Sequence, residues 1–214
     1  MKIKQKIYYI TYQSFPAETA NSLQTISNIK YLTKNGVDVE LIFPLRESNS
    51  KASIQKIKKH YSIKEEFKVT GVNHFLPFGR IKILEGFFFH VSHFLWSYFV
   101  VNFKIKKTDG EKFITRSDWI LYFLARKGCR VLFECHQTSK IRTIIINRLK
   151  SYPNVKFIFL NEHLEDYYKM DGSNSRVLHN GVDTEMFRNS TGKLWNQREG
   201  LVFVGNLKRF NEER

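Results

Sequence analysis

The chain has 214 residues and a formal net charge of +15, from 35 Lys and Arg against 20 Asp and Glu. Its 19 Phe and 10 Tyr exclude a disordered chain, its 4 Pro and 11 Gly exclude collagen-like or low-complexity sequence, and its 2 Cys exclude a disulfide framework. The length suits one large domain, or one and a half, with a core large enough to fold alone.

Residues 6–11 are a short run rich in Ile and Tyr, a strand candidate. A loop with Pro16 follows, and residues 20–34 then place Leu23, Ile26, Ile29 and Leu32 on one side of a helix that Asn35 and Gly36 end. Residues 37–43 read as a second strand, 51–61 as a basic amphipathic helix or loop, and 67–72 as a third strand. An aromatic helix is expected over 80–107. From there strands and helices alternate: strand 112–115, helix 118–126 closed by Gly128, strand 130–135 and helix 139–149. Strand 155–160, helix 162–170 closed by Gly172, and strand 176–179 complete the series. Such alternation predicts right-handed βαβ units. The expected fold is α/β, a Rossmann-like, doubly wound, mostly parallel sheet. Residues 1–188 are read as one domain, 189–199 as a linker, and 200–214 as the first strand of a truncated further domain.

The basic start of the chain resembles a signal peptide, but Thr11, Gln13 and Ser14 interrupt the apolar run at once. A cytoplasmic protein is therefore expected, and Cys129 and Cys135 are read as buried thiols. Residues 83–103 are long enough to span a bilayer but carry Glu85, His90, His93 and Asn102, which are costly in hydrocarbon. A largely buried helix of the domain is the first expectation, and a helix lying in the membrane interface the second. Arg80, Lys82, Lys104, Lys106 and Lys107 flank it. The excess charge points to an anionic partner, either a phosphorylated substrate or an anionic membrane surface on the inner face of the cytoplasmic membrane. No specific nucleic acid is expected, because no recognition motif accompanies the charge.

No G-x-G, G-x-x-x-x-G-K, G-x-S-x-G, H-E-x-x-H or D-x-D pattern occurs, and the cysteines lack C-x-x-C spacing. No metal or other cofactor is expected. In an open α/β sheet, ligands lie beyond the carboxyl ends of the strands. That places Tyr12, Ala20 and Asn21 in the loop and helix start after the first strand, Arg116 after the fourth, and Glu134 and His136 near the end of the fifth, as candidates. Arg116 either clamps an anion or pairs with Asp118. Ala20 and Asn21 either hold an anion with helix N–H groups or cap the helix, with Thr19 as the other capping candidate. His136 either positions substrate or caps the next helix. Glu134 is read as alternating to the other face of the strand from His136, pairing with a basic neighbour or acting on substrate.

Four segments, in order, resemble the N-terminal half of glycosyltransferase family 4-like enzymes with the GT-B fold. They are K-I-Y-Y-I-T-Y-Q-S-F-P-A-E-T-A-N-S-L-Q from Lys6, F-I-T-R-S-D from Phe113 with V-L-F-E-C-H from Val131, V-L-H-N-G-V-D-T-E-M-F from Val177, and L-V-F-V-G-N-L from Leu201. The resemblance implies the N-terminal part of a retaining, metal-independent glycosyltransferase. The donor would be a nucleotide-sugar bound mainly by a C-terminal domain. The acceptor, a glycan or lipid-linked molecule of cell-surface polysaccharide or glycolipid synthesis, would be bound mainly here. His136 matches the family's histidine near the reacting carbon, Asn180 belongs to the turn closing the sheet, and Lys208 or Arg209 would approach the donor diphosphate. Two departures stand out. Asn206 follows Gly205 where the family has Arg or Ser, and no two Glu are separated by seven residues. The second implies that this stretch alone lacks the donor site and is inactive by itself. The alternative reading is a non-catalytic basic module that binds a membrane surface or an acceptor.

Overall fold

A computed structural model describes residues 6–46, 51–74, 85–106 and 110–181. By contacts the chain divides into Met1–Asn180 and Gly181–Arg214, and the account below concerns the first unit. Lys208, Arg209, the 189–199 linker and the 201–204 strand lie outside the described residues.

Seven strands form one sheet: β1 Lys6–Ile10, β2 Asp38–Leu45, β3 Lys68–Asn73, β4 Lys112–Thr115, β5 Arg130–Cys135, β6 Val155–Phe159 and β7 Ser175–Val177. Their spatial order is β3-β2-β1-β4-β5-β6-β7, and every pairing is parallel. The sheet is therefore wound outward in both directions from β1 and β4, as expected for a Rossmann-like α/β fold. Helices α1 (Ala20–Lys34) and α2 (Ile54–Tyr61) pack Ile26, Ile29 and Ile57 against Ile7, Tyr9, Leu41 and Phe43. The opposite face is covered by α3 (Glu85–Phe99), a π-helical turn (Val100–Lys104), α4 (Asp118–Arg126), α5 (Lys140–Leu149) and α6 (Glu162–Tyr167). There Trp96, Val100, Leu121, Leu124 and Ile146 meet Ile10, Phe113, Phe133 and Phe157. Strands covered on both faces need apolar residues in near-continuous runs, which is why β2 and β5 read as they do.

Local signals explain most boundaries. Thr19 and Ser22 form a reciprocal capping box at the start of α1. Gly36 and Gly128 take the left-handed backbone just past α1 and α4. Three expectations need correction. Helix α6 stops at Tyr167, with Lys169 in the left-handed region (φ 50°), so the chain turns three residues before Gly172. The basic stretch becomes helical only from Ile54, after Ser53 caps it. The aromatic helix is not largely buried: Phe87, Leu95, Tyr98 and Phe103 on its outer side are exposed. Among the described residues, no helix is long and apolar enough to cross a membrane.

Candidate functional site

The sheet's winding changes direction between β1 and β4, and the chain leaves their carboxyl ends in diverging directions. A crevice must open there. A cavity of about 450 Å³ occupies it, lined by Thr11, Tyr12 and Gln13 after β1, Arg46 after β2, and Arg116 and Ser117 after β4. Asn21 at the start of α1, Phe89, His90 and His93 of α3, Trp119 of α4 and Arg142 of α5 complete much of the wall. Three guanidinium groups against one carboxylate, Asp118, give this crevice a positive character.

Tyr12 is its central pillar. The Tyr12 N–H donates to Ser117 Oγ at 3.0 Å, tying the ends of β1 and β4 together. Its hydroxyl lies 2.6 Å from His74 Nε2 and donates to Ser92 Oγ at 3.0 Å. Its ring stacks on His93 at 4.1 Å, and the Arg46 guanidinium sits 4.6 Å from the ring centroid while donating to the Tyr12 carbonyl at 2.6 Å. Burial, with Arg46 adding to it, lowers the pKa of His74 to about 4. Burial, with His90 and Arg46 next, lowers that of His93 to about 3. Both are neutral imidazoles near neutral pH. Sequence reasoning picked Tyr12 but not Arg46 or His74, although the rule that ligands gather at strand carboxyl ends applies equally to the residues after β2 and β3.

Behind the crevice, on the α1 side of the sheet, a second polar cluster forms around Glu134. The buried carboxylate accepts from the Tyr9 hydroxyl at 2.9 Å and the Asn28 amide at 3.2 Å. Arg116 Nε lies 3.9 Å away and His136 Nε2 lies 3.7 Å away. Glu134 and His136 thus share one side. The expected alternation to opposite faces fails, because residues two apart along a strand point the same way. Burial lowers the His136 pKa, against the opposing pull of Glu134, and Arg116 lowers it further. His136 is accordingly less readily protonated than a free imidazole.

Arg116 connects the two clusters. It lines the crevice, approaches Glu134, and donates to the Asn21 carbonyl at 3.3 Å and the Asn21 side-chain oxygen at 3.2 Å. It does not pair with Asp118, which is held by Arg142 at 2.6 Å. Thr19 caps α1, so Asn21 is left to hold Arg116. Ala20 is the exposed first residue of α1. Asn180 is exposed and accepts from the Gln24 side chain, on the same side as the Glu134 cluster's Asn28, one helical turn along α1. Among the described residues no group of three or more His, Cys, Asp or Glu could hold a metal ion. Cys129 and Cys135 are both buried.

The chain matches no protein family and no curated protein. Among solved structures it is similar to a glycosyltransferase from Rickettsia africae ESF-5, with 15% sequence identity and a TM-score of 0.48. The match covers 86% of this chain and 45% of that one, so the chain spans less than half the length of this neighbour.

Proposed function

We propose that this chain supplies the acceptor side of a retaining, metal-independent glycosyltransferase that uses a nucleotide-sugar donor. The observation that carries this reading is the placement of His136 and Arg116, both joined through Glu134, beside a positive crevice at the sheet's change of winding. The sequence segments that resemble family 4-like enzymes contribute these residues. An acceptor carrying a phosphate or carboxylate would find Arg116 and Arg46 in the crevice wall, where a planar guanidinium can bind it through two parallel hydrogen bonds. A neutral His136 can donate one hydrogen bond and accept another, so it can fix a sugar hydroxyl or the edge of the reacting carbon without bringing full charge. Glu134 orients it as a positioning residue.

In this reading the donor is held mainly by a second domain, to which the resemblance assigns a pair of glutamates separated by seven residues, a pattern that does not occur in these 214 residues. The test is release of nucleoside diphosphate by the protein that carries this chain. It would be offered a panel of nucleotide-sugars, with and without glycan and lipid-linked acceptors, in buffer containing a metal chelator. Acceptor-dependent release that survives the chelator is expected. No release from any donor, with the protein folded, would overturn the reading.

A further inference from the structure

We propose that the outward faces of α3 and α4 form a docking surface for an anionic lipid interface. On a water-exposed domain a surface helix turns its apolar residues inward. Helix α3 buries Trp96 but also turns polar residues inward and several large apolar ones outward. Ser92, His93 and Ser97 are buried beneath it, while Phe87 is 64% exposed, Leu95 44%, Tyr98 46% and, in the following turn, Phe103 67%.

These side chains join a wider surface. Phe94 meets Trp119 at 4.9 Å and Phe123 at 5.2 Å, both on α4, and Tyr98 meets Phe123 at 5.4 Å. An exposed aromatic surface running across two helices marks an interaction site.

Charge selects the occupant. Residues 86–106 contain no Asp or Glu, and exposed Lys104, Lys106 and Arg126 stand at the same end of the two helices. A second copy of the chain would bring another +15 against this surface. An anionic headgroup layer brings the opposite sign. Tyr and Trp suit such a layer, because each has an apolar body and a polar tip. The helices would lie in the plane of the interface with the aromatic side down. Phe89, His90 and Trp119 also line the crevice, so its mouth opens at the edge of the docking surface. If the sugar-transfer reading holds, a lipid-linked acceptor would enter the crevice with its tail still in the bilayer. Docking itself does not rest on that reading.

The test is flotation of the full chain with phosphatidylcholine vesicles, with and without phosphatidylglycerol, in the absence of any sugar donor. Failure here therefore leaves the proposed activity untouched. The wild type should float with the anionic vesicles and lose binding as salt rises. The variant F87S/L95Q/F103S should bind at least about tenfold more weakly, since burial of large apolar side chains drives the insertion. The variant K104Q/K106Q/R126Q should lose most of the preference for phosphatidylglycerol. A second readout needs no variant for its primary signal. Brominated phosphatidylglycerol should quench wild-type tryptophan emission, with Trp119→Phe reducing that quenching. Three results would overturn the proposal: no flotation with either vesicle, equal binding by wild type and F87S/L95Q/F103S, or no quenching. If F87S/L95Q/F103S instead turns an oligomer into a monomer and the wild type ignores vesicles, the surface joins copies of this chain and the lipid assignment is wrong.

Discussion

Glu134 holds the second polar cluster together. Its carboxylate receives hydrogen bonds from Tyr9 and Asn28 and stands within 4 Å of both Arg116 and His136. Glu134→Gln keeps the shape and removes the charge, leaving Arg116 without its counter-charge. Loss of about 1–3 kcal/mol of stability is expected, because a buried charged group then lacks part of its compensation. Glu134 raises the His136 pKa, so the same substitution should lower it further. An NMR titration of the imidazole checks the direction, and an upward shift would contradict the geometry. His93 and His74 set a pH dependence of stability. Their folded-state pKa values, about 3 and about 4, lie below the ordinary 6.5. The unfolded chain therefore binds protons first as pH falls, and stability drops from about pH 6.5 downward, by about 1.4 kcal/mol per pH unit for each histidine. Above pH 6.5 their contribution to stability is fully present. His93→Phe retains a ring to stack on Tyr12, and the Nε2 it removes has no hydrogen-bond partner among the described residues. Urea midpoints at pH 7 and pH 5 should differ less in this variant than in the wild type.

At the scale of elements, β3 shows how closely an edge strand is fitted. A Cβ added at Gly71 would stand 2.6 Å from Leu45 Cγ at the end of β2. The two strands pair along six residues each, from Glu40 with Lys68 to Leu45 with Asn73. Gly71→Ala should cost about 1–3 kcal/mol as Leu45 is driven from its place. Adding Leu45→Ala should recover part of that cost, and a double-mutant cycle in urea measures the coupling. Strictly additive effects would show that Leu45 does not oppose the added methyl group. The starts of α1, α5 and α6 were legible for plain reasons, whereas that of α2 comes three residues later than expected. Thr19, Ser53, Ser139 and Asn161 each accept a backbone N–H at a helix start, and each precedes a run with apolar periodicity. The end of α6 was not legible, because the left-handed backbone falls on Lys169, a residue type that gives no such signal. The outward aromatic face of α3 was also hidden. Aromatic residues fill the helix at nearly every phase, so its periodicity cannot say which side packs against the sheet.

For the whole molecule, alternation of strands and helices was enough to read an α/β fold, and the structure has the expected doubly wound sheet. The site was legible only in part. Tyr12, Asn21 and Arg116 follow from the strand-end rule, and they do meet in and around one crevice. Arg46, His74 and His93 come from three other elements, and their convergence on Tyr12 depends on strand order and helix placement, which spacing along the chain does not encode. In the proposed function, His136 fixes the transferred sugar from behind this crevice. The most direct measurement is the kinetics of nucleotide release by the protein carrying this chain, wild type against His136→Ala, under saturating donor and acceptor. The account predicts a fall in kcat of about a hundredfold, as expected when a positioned polar group at the reacting centre is lost, with the thermal unfolding midpoint little changed. An unchanged kcat in a folded His136→Ala variant would contradict it.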